Sequence, residues 1–234
     1  MPGYEAIAKM IDHSLLNPTL TDEEIIAGCE LAKTYHVATV CVRPSDVLLA
    51  QSLLKDSDVL VTTVIGFPHG TTTTAAKLAE AKEAIVNGCK ELDVVLHIGK
   101  LRTGDLEYVE RDLSAVIELA HSSNVKVKVI FENTYLTKEQ IISATLICNQ
   151  VNADWVKTST GYAGGGATDE DLRIMRQYAL PHIQVKAAGG VRTLQRALEV
   201  RALGCTRFGA TATKAILDEL NSGQSQQPTT QSGY

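Results

Sequence analysis

Apolar residues along this chain gather in short runs separated by longer mixed segments. The runs are Met10–Leu16, Val37–Val42, Val59–Phe67, Glu91–Leu96, Val125–Glu132, Ala153–Thr158, Ile183–Gly190 and Cys205–Ala210. Each has the length of a strand, which predicts eight of them. Between the runs, Asp22–Tyr35, Thr74–Asn87, Leu106–His121 and Lys138–Gln150 carry apolar residues at three- and four-residue spacing, the helical period. Thr21 before Asp22-Glu23-Glu24, Thr137 before Lys138-Glu139-Gln140 and Thr168 before Asp169-Glu170-Asp171 each place a capping hydroxyl ahead of acids or an amide. Alternating strands and helices imply parallel pairing with right-handed crossovers. An open doubly wound sheet and a closed eight-stranded barrel both meet that rule. The strand count favours the barrel, as does the lack of a G-x-G-x-x-G turn after the first strand.

The fold class expected is therefore α/β, a single (β/α)8 TIM barrel over residues 1–220 with a short N-terminal helix. Residues 221–234 are mostly Gln, Ser, Thr and Gly, with one Pro and no apolar periodicity, which predicts a flexible polar C-terminal tail. Eight units between Met10 and Leu220 leave about 26 residues each, tight against the ~250 residues of a typical barrel. That spacing leaves no room for a second domain.

Composition narrows the class further. With 44% hydrophobic residues the chain can bury a core, and with only 5% aromatics it does not resemble a sandwich or propeller. A net charge of -5 argues against non-specific binding to nucleic acid or anionic membrane. The five cysteines (Cys29, Cys41, Cys89, Cys148, Cys205) are odd in number and never spaced C-x-x-C, so reduced thiols in a cytoplasmic protein are expected. His13 and His97 have no partner at ligand spacing, and no metal site is expected. No signal peptide, bilayer-spanning run, G-x-S-x-G elbow or Ser/His/Asp arrangement is apparent.

What the hydrophobic pattern does not explain is the charge inside it. Asp12, Asp93, Lys128, Lys157 and Lys186 each interrupt an otherwise apolar strand. One such residue alone reads as a solvated strand end, but five on five strands converge on one barrel. Facing inward, three lysines against two aspartates make a net positive cluster in a region of low dielectric. There each ammonium disfavours its neighbour's charge, leaving one lysine neutral near pH 7. A neutral amine attacks carbonyls, so Schiff-base chemistry suits the set, with an aspartate to shuttle protons. Gly161 after Lys157, Gly189, Gly190 and Arg192 after Lys186, and Gly209 and Thr211 after the last strand mark three places for an anion at the same end.

Taken together, these residues resemble the deoxyribose-phosphate aldolase family. The resemblance is carried by Val156-Lys157-Thr158-Ser159-Thr160-Gly161, Glu91-Leu92-Asp93-Val94-Val95 and Val185-Lys186-Ala187-Ala188-Gly189-Gly190-Val191-Arg192. It is extended by Ile11-Asp12-His13-Ser14-Leu15-Leu16, Gly66-Phe67-Pro68-His69-Gly70 and Arg207-Phe208-Gly209-Ala210. It implies a class I aldolase without metal or cofactor, reversibly cleaving 2-deoxy-D-ribose 5-phosphate to D-glyceraldehyde 3-phosphate and acetaldehyde. By this resemblance Lys157 forms the Schiff base, Lys186 perturbs it, Asp93 moves protons, Asp12 and Lys128 support the site, and the named glycines line the phosphate loops. The chain departs from the family pattern at Ser14, Asn133, Tyr162 and Ala212; Tyr162 replaces a lysine and Ala212 a serine found in other members, which bears on phosphate affinity.

Other readings remain open at this point: another Schiff-base phosphosugar aldolase or transaldolase, or a phosphosugar-binding barrel without catalysis. The partners expected are small phosphosugars and aldehydes, with pairing of copies into a homodimer or larger homo-oligomer compatible with the fold. Cys41 ends the second predicted strand, either as core or facing the mouth. Tyr234 closes the tail, either as a proton relay over the site or as a plain chain end. Trp155 shares its parity with Lys157 but reads first as packing, and His69 as part of a turn.

Overall fold

The computed structural model describes residues 2–224. In chain order the elements are α1 (Tyr4–Ala8), β1 (Ile11–Leu15), α2 (Asp22–Thr34), β2 (Thr39–Val42), α3 (Val47–Leu54), β3 (Leu60–Ile65), α4 (Thr74–Val86), β4 (Glu91–Val95), α5 (Ile98–Thr103) and α6 (Leu106–Ser122). They continue as β5 (Lys126–Ile130), α7 (Lys138–Gln150), β6 (Trp155–Lys157), α8 (Asp169–Tyr178), β7 (Gln184–Ala187), α9 (Leu194–Ala202), β8 (Arg207–Ala210) and α10 (Thr213–Gln224). All eight strands pair in parallel in sequence order, and β8 closes on β1. The expected (β/α)8 barrel is the observed fold.

The hydroxyls read as caps perform that role. Thr21 accepts from Glu24 N–H while the Glu24 carboxylate takes Thr21 N–H, and Thr137 and Gln140 form the same reciprocal box. Thr168 accepts from Asp171 N–H at the start of α8. Each cap satisfies amides that the first helical turn leaves unpaired.

Strand parity divides the interior into two unlike regions. One face of each strand packs on the helices: Ile11, Val40, Val61, Leu92, Val94, Val127, Val129, Val156, Val185 and Phe208 belong to one continuous apolar core. The alternate residues point into the lumen, where polar and charged groups replace the branched aliphatics that usually fill such barrels. β4 shows the consequence, since Glu91, Leu92, Asp93, Val94 and Val95 are all buried. The lumen is a packed ionic floor that opens only at the carboxyl ends of the strands.

Observed strands are shorter than the apolar runs that predict them. At the ends of β6 and β7 the reason is local. Thr158 Oγ1 exchanges hydrogen bonds with the Ala188 N–H and C=O, so side-chain bonding replaces the ladder two residues before Gly190. The boundary expected at residue 220 also shifts, because α10 continues through Asn221 to Gln224 and Leu220 packs in the core one turn earlier. Tyr234 lies outside the described residues. Among the described residues, no helix is long and apolar enough to cross a membrane.

Candidate active site

β4 supplies the centre of the site. Asp93 is fully buried and its two oxygens serve three lysines: Oδ2 accepts from Lys157 Nζ at 2.6 Å and Lys186 Nζ at 2.7 Å, and Oδ1 from Lys128 Nζ at 2.9 Å. The register makes this possible. Asp93 pairs with Lys128 on β5, and Lys157 pairs with Lys186 on β7, so all four side chains enter the lumen from one half of the barrel. Asp12 arrives from β1 on the far side, with Oδ2 at 2.5 Å from Lys186 and 3.5 Å from Lys128. The five charges expected to converge do converge.

Two further charged groups take part that strand periodicity did not single out. Arg207 forks onto Glu91 through Nη1 and Nη2 at 3.1 and 3.0 Å, and reaches Asp12 Oδ1 at 2.5 Å. Glu91 also pairs with Lys128. Counting these, three lysines and Arg207 face three carboxylates. Parity was the available signal, because Glu91 lies two residues before Asp93 and Arg207 two before Gly209. Trp155 also faces the lumen rather than packing outward; its ring lies beneath Lys128 and Arg207, and its indole N–H donates to Thr206.

Burial and charge together separate the three lysines. Burial pushes the Lys157 ammonium below its ordinary range; Asp93 opposes this and the Lys186 charge adds to it. Burial acts downward on Lys186 and Lys128 too, but carboxylates outweigh it. Asp12 and Asp93 raise Lys186, and Asp12, Asp93 and Glu91 raise Lys128. Asp93 resists the upward push of burial because Lys128, Lys157 and Lys186 hold its carboxyl far below the usual range. Asp12 is held low by Arg207, Lys128 and Lys186 against the same burial. Lys157 is thus the lysine set up to be neutral.

Above this floor lies a cavity of about 730 Å³. Lys157, Lys186 and Asp12 form part of its base, and Gly161, Gly189, Gly190, Arg192, Gly209 and Thr211 all line its wall. Asp93 and Lys128 lie beneath. Gly189 and Gly190 have φ of +82° and +87°, conformations that suit glycine. A Cβ at Gly189 would meet Gly166 Cα at 2.8 Å, so the loops after β6 and β7 touch through glycines.

Glu132 is a positioning group with no advance signal. It is buried with φ +59°, and its carboxylate takes Thr160 N–H at 3.2 Å together with the Thr160 hydroxyl. It therefore holds the turn that follows Lys157. Cys41 faces the same cavity, its thiol pushed up to about 11 by burial and by Asp93. His13, one residue past Asp12, points the other way and meets Thr213 Oγ1 at 2.9 Å. Among the described residues, no group of three or more His, Cys, Asp or Glu has metal-holding geometry.

The chain is similar to known proteins along most of its length. Residues 6–218 match the family described as DeoC/LacD family aldolase. The deoxyribose-phosphate aldolase of Rhodopirellula baltica is 50% identical over 92% of this chain and 90% of its own length. That of Thermococcus gammatolerans is 47% identical over 91% and 95%. Among solved structures, a deoxyribose phosphate aldolase from Aeropyrum pernix, described as having a unique tetrameric structure, superposes with a TM-score of 0.87 at 29% identity. That match covers 94% of this chain and 93% of the Aeropyrum chain. A lysine cluster on the floor of a parallel barrel and sequence identity along nearly its whole length lead to one assignment: the chain belongs to the DeoC/LacD family of aldolases.

Proposed function

We propose that this protein is a class I aldolase that reversibly cleaves 2-deoxy-D-ribose 5-phosphate into D-glyceraldehyde 3-phosphate and acetaldehyde, with Lys157 as the Schiff-base lysine. The observation that carries the reading is the contrast among the buried lysines. Of Lys128, Lys157 and Lys186, Lys157 is the one depressed, and it lies at the base of a cavity whose wall holds the candidate phosphate loops.

The neutral Lys157 amine adds to the C1 aldehyde of the open-chain sugar, and loss of water gives an iminium. Its positive charge draws electrons from the C2–C3 bond, which lies β to the iminium carbon. As the C3 hydroxyl gives up its proton, C3 becomes the aldehyde carbon of glyceraldehyde 3-phosphate and the C2–C3 electron pair passes into an enamine on Lys157. Protonation of the enamine carbon and hydrolysis release acetaldehyde and regenerate the amine. Asp93 touches both Lys157 and Lys186 and is the group we assign to the proton transfers. The three lysines hold its carboxyl below the ordinary range, so at rest it is a carboxylate, open to accept a proton.

Burial is the main reason that Lys157 is depressed, and Lys186, an ammonium between Asp12 and Asp93, adds to it through its charge. Asp12 and Lys128 support that arrangement from below. At the other end of the substrate, amides near Gly161, Gly189 and Gly190, the Arg192 guanidinium and the loop of Gly209 and Thr211 suit a phosphate. Fixing the phosphate there brings C1 to Lys157. The five cysteines are free and buried, which supports a reducing compartment, the cytoplasm. Self-association, as the Aeropyrum pernix relative displays, is read by sedimentation.

Borohydride added with acetaldehyde should leave a two-carbon adduct on Lys157, located by peptide mass mapping. An adduct on Lys186, or none, would overturn the assignment. Product analysis with deoxyribose 5-phosphate separates this reaction from a ketose-phosphate aldolase or a barrel that only binds.

A further inference from the structure

Tyr162, on the loop after β6, stands across the barrel mouth. Its hydroxyl donates to Leu16 C=O at 2.8 Å on the loop after β1, and its ring meets Phe67, after β3, edge-on with centroids 5.4 Å apart. These three loops are not neighbours around the barrel, so the side chain bridges the opening instead of lying along its rim. Behind it is a second cavity of about 300 Å³, which shares Leu16, Pro18 and Tyr162 with the lysine cavity as a common wall.

This annex is apolar in character. Pro44, Val64, Phe67 and Pro68 line it, and its two charged residues are already engaged. Arg43 is held by Asp46 and by Leu20 C=O, and Glu80 takes the Gly66 N–H at 2.7 Å. The annex also adjoins the chemistry, because Val64 is the register partner of Asp93. Its volume is at the lower end of the range that holds small ligands.

We infer that Tyr162 is a specificity-determining residue for the aldehyde acceptor: its ring separates the lysine cavity from the annex and so bars the apolar body of a longer aldehyde from extending there. The inference rests on the aldolase reading above, with the reaction run in the synthetic direction. There the Lys157 enamine carbon attacks the acceptor carbonyl, the new C–C bond forms, and the carbonyl oxygen takes up a proton to become a hydroxyl. An acceptor such as hexanal has no phosphate for the glycine loops, and its tail needs an apolar place.

The test compares kcat and KM for hexanal and for glyceraldehyde 3-phosphate, each with acetaldehyde, in the wild type and in Tyr162→Ala, Tyr162→Val and Tyr162→Phe. Tyr162→Ala should raise the hexanal-to-glyceraldehyde-phosphate ratio of kcat/KM about tenfold, chiefly through the KM for hexanal, as roughly two methylenes enter the annex. Tyr162→Val should give a smaller gain and serves in place of the alanine variant if that one is unstable. Tyr162→Phe should leave the ratio unchanged, since the ring and not the hydroxyl forms the wall. Adding Pro44→Phe to Tyr162→Ala should fill the annex and reverse the gain. An unchanged ratio in both the alanine and valine variants, or a gain that survives Pro44→Phe, overturns the inference. The borohydride adduct on Lys157 is followed in every variant, so failure of the aldolase reading, with no adduct in the wild type, is distinguished from failure of this one.

Discussion

Lys128 and Lys157 occupy neighbouring strands, are both buried and both bond to Asp93, yet their charges are driven in opposite directions. The difference is the number of carboxylates each meets. Lys128 sits low in the lumen among Asp12, Glu91 and Asp93; Lys157 sits at the cavity base with Asp93 alone and the Lys186 ammonium beside it. Lys186, with two carboxylates, falls between them and is raised. His13 marks the limit of burial without any carboxylate: its imidazole is pushed down to about 4. In this barrel burial is common to all four groups, and the carboxylates select which amine becomes a nucleophile.

The sharpest way to break this contrast is to remove each lysine in turn. Lys157→Leu should abolish cleavage, a loss of about a millionfold, the lower end of ordinary enzymatic acceleration. The melting temperature should stay close to that of the wild type, since an apolar side chain replaces a desolvated amine. A product assay and a thermal melt together check this, and residual cleavage by the pure variant would sink it.

Lys186→Met tests the neighbour's charge. Without that ammonium the Lys157 pKa should rise, so less of the amine is neutral near pH 7. Activity should fall by about 10²–10⁴-fold, and the acidic limb of the kcat/KM profile should move to higher pH. A profile that falls in height without moving would show that the Lys186 charge does not tune Lys157.

Lys128→Met should act on stability instead. It takes one cation from Asp12, Glu91 and Asp93, which keep Arg207, Lys157 and Lys186, at a cost of up to about 3–5 kcal/mol. For a chain of this size that lowers the melting temperature by about 10 °C. Denaturant titration checks it, and an unchanged midpoint would mean that Lys128 contributes no net stabilisation.

His13 gives the smallest effect and a clear sign. Its folded pKa of about 4 lies below the unfolded value, so the unfolded chain binds the extra proton between about pH 6.5 and 4. Stability attributable to the neutral ring is intact above that window and is lost as pH falls through it, by up to about 3 kcal/mol. His13→Gln should flatten that part of the pH–stability curve, and a slope equal to the wild type's would remove the residue from the account.

Much of this arrangement was legible beforehand. Asp12, Asp93, Lys128, Lys157 and Lys186 stood out because each breaks an apolar strand, and parity alone is enough to turn such residues inward. Trp155 shared that parity and proved to belong in the lumen. Glu91 and Arg207 obeyed the same parity but sit at the starts of their strands, where a charge reads as solvated. Their pairing spans 116 positions, a distance at which no local pattern carries information. The bond of Glu132 to Thr160 escaped for the same reason, since it joins two loops that share no periodicity.

Caps, strand parity and helical spacing act within a few residues, so the elements and their order are written in the chain. The sequence also determined which lysines and aspartates enter the lumen. How many carboxylates Lys128, Lys157 and Lys186 each meet, and hence which of the three is depressed, is set by the closed barrel. Only closure of β8 onto β1 brings Arg207 to Asp12, and only the folded mouth brings Tyr162 to Leu16 and Phe67. The physical reason is that electrostatic interactions and walls depend on distances across the barrel, and those exist only once the sheet has closed.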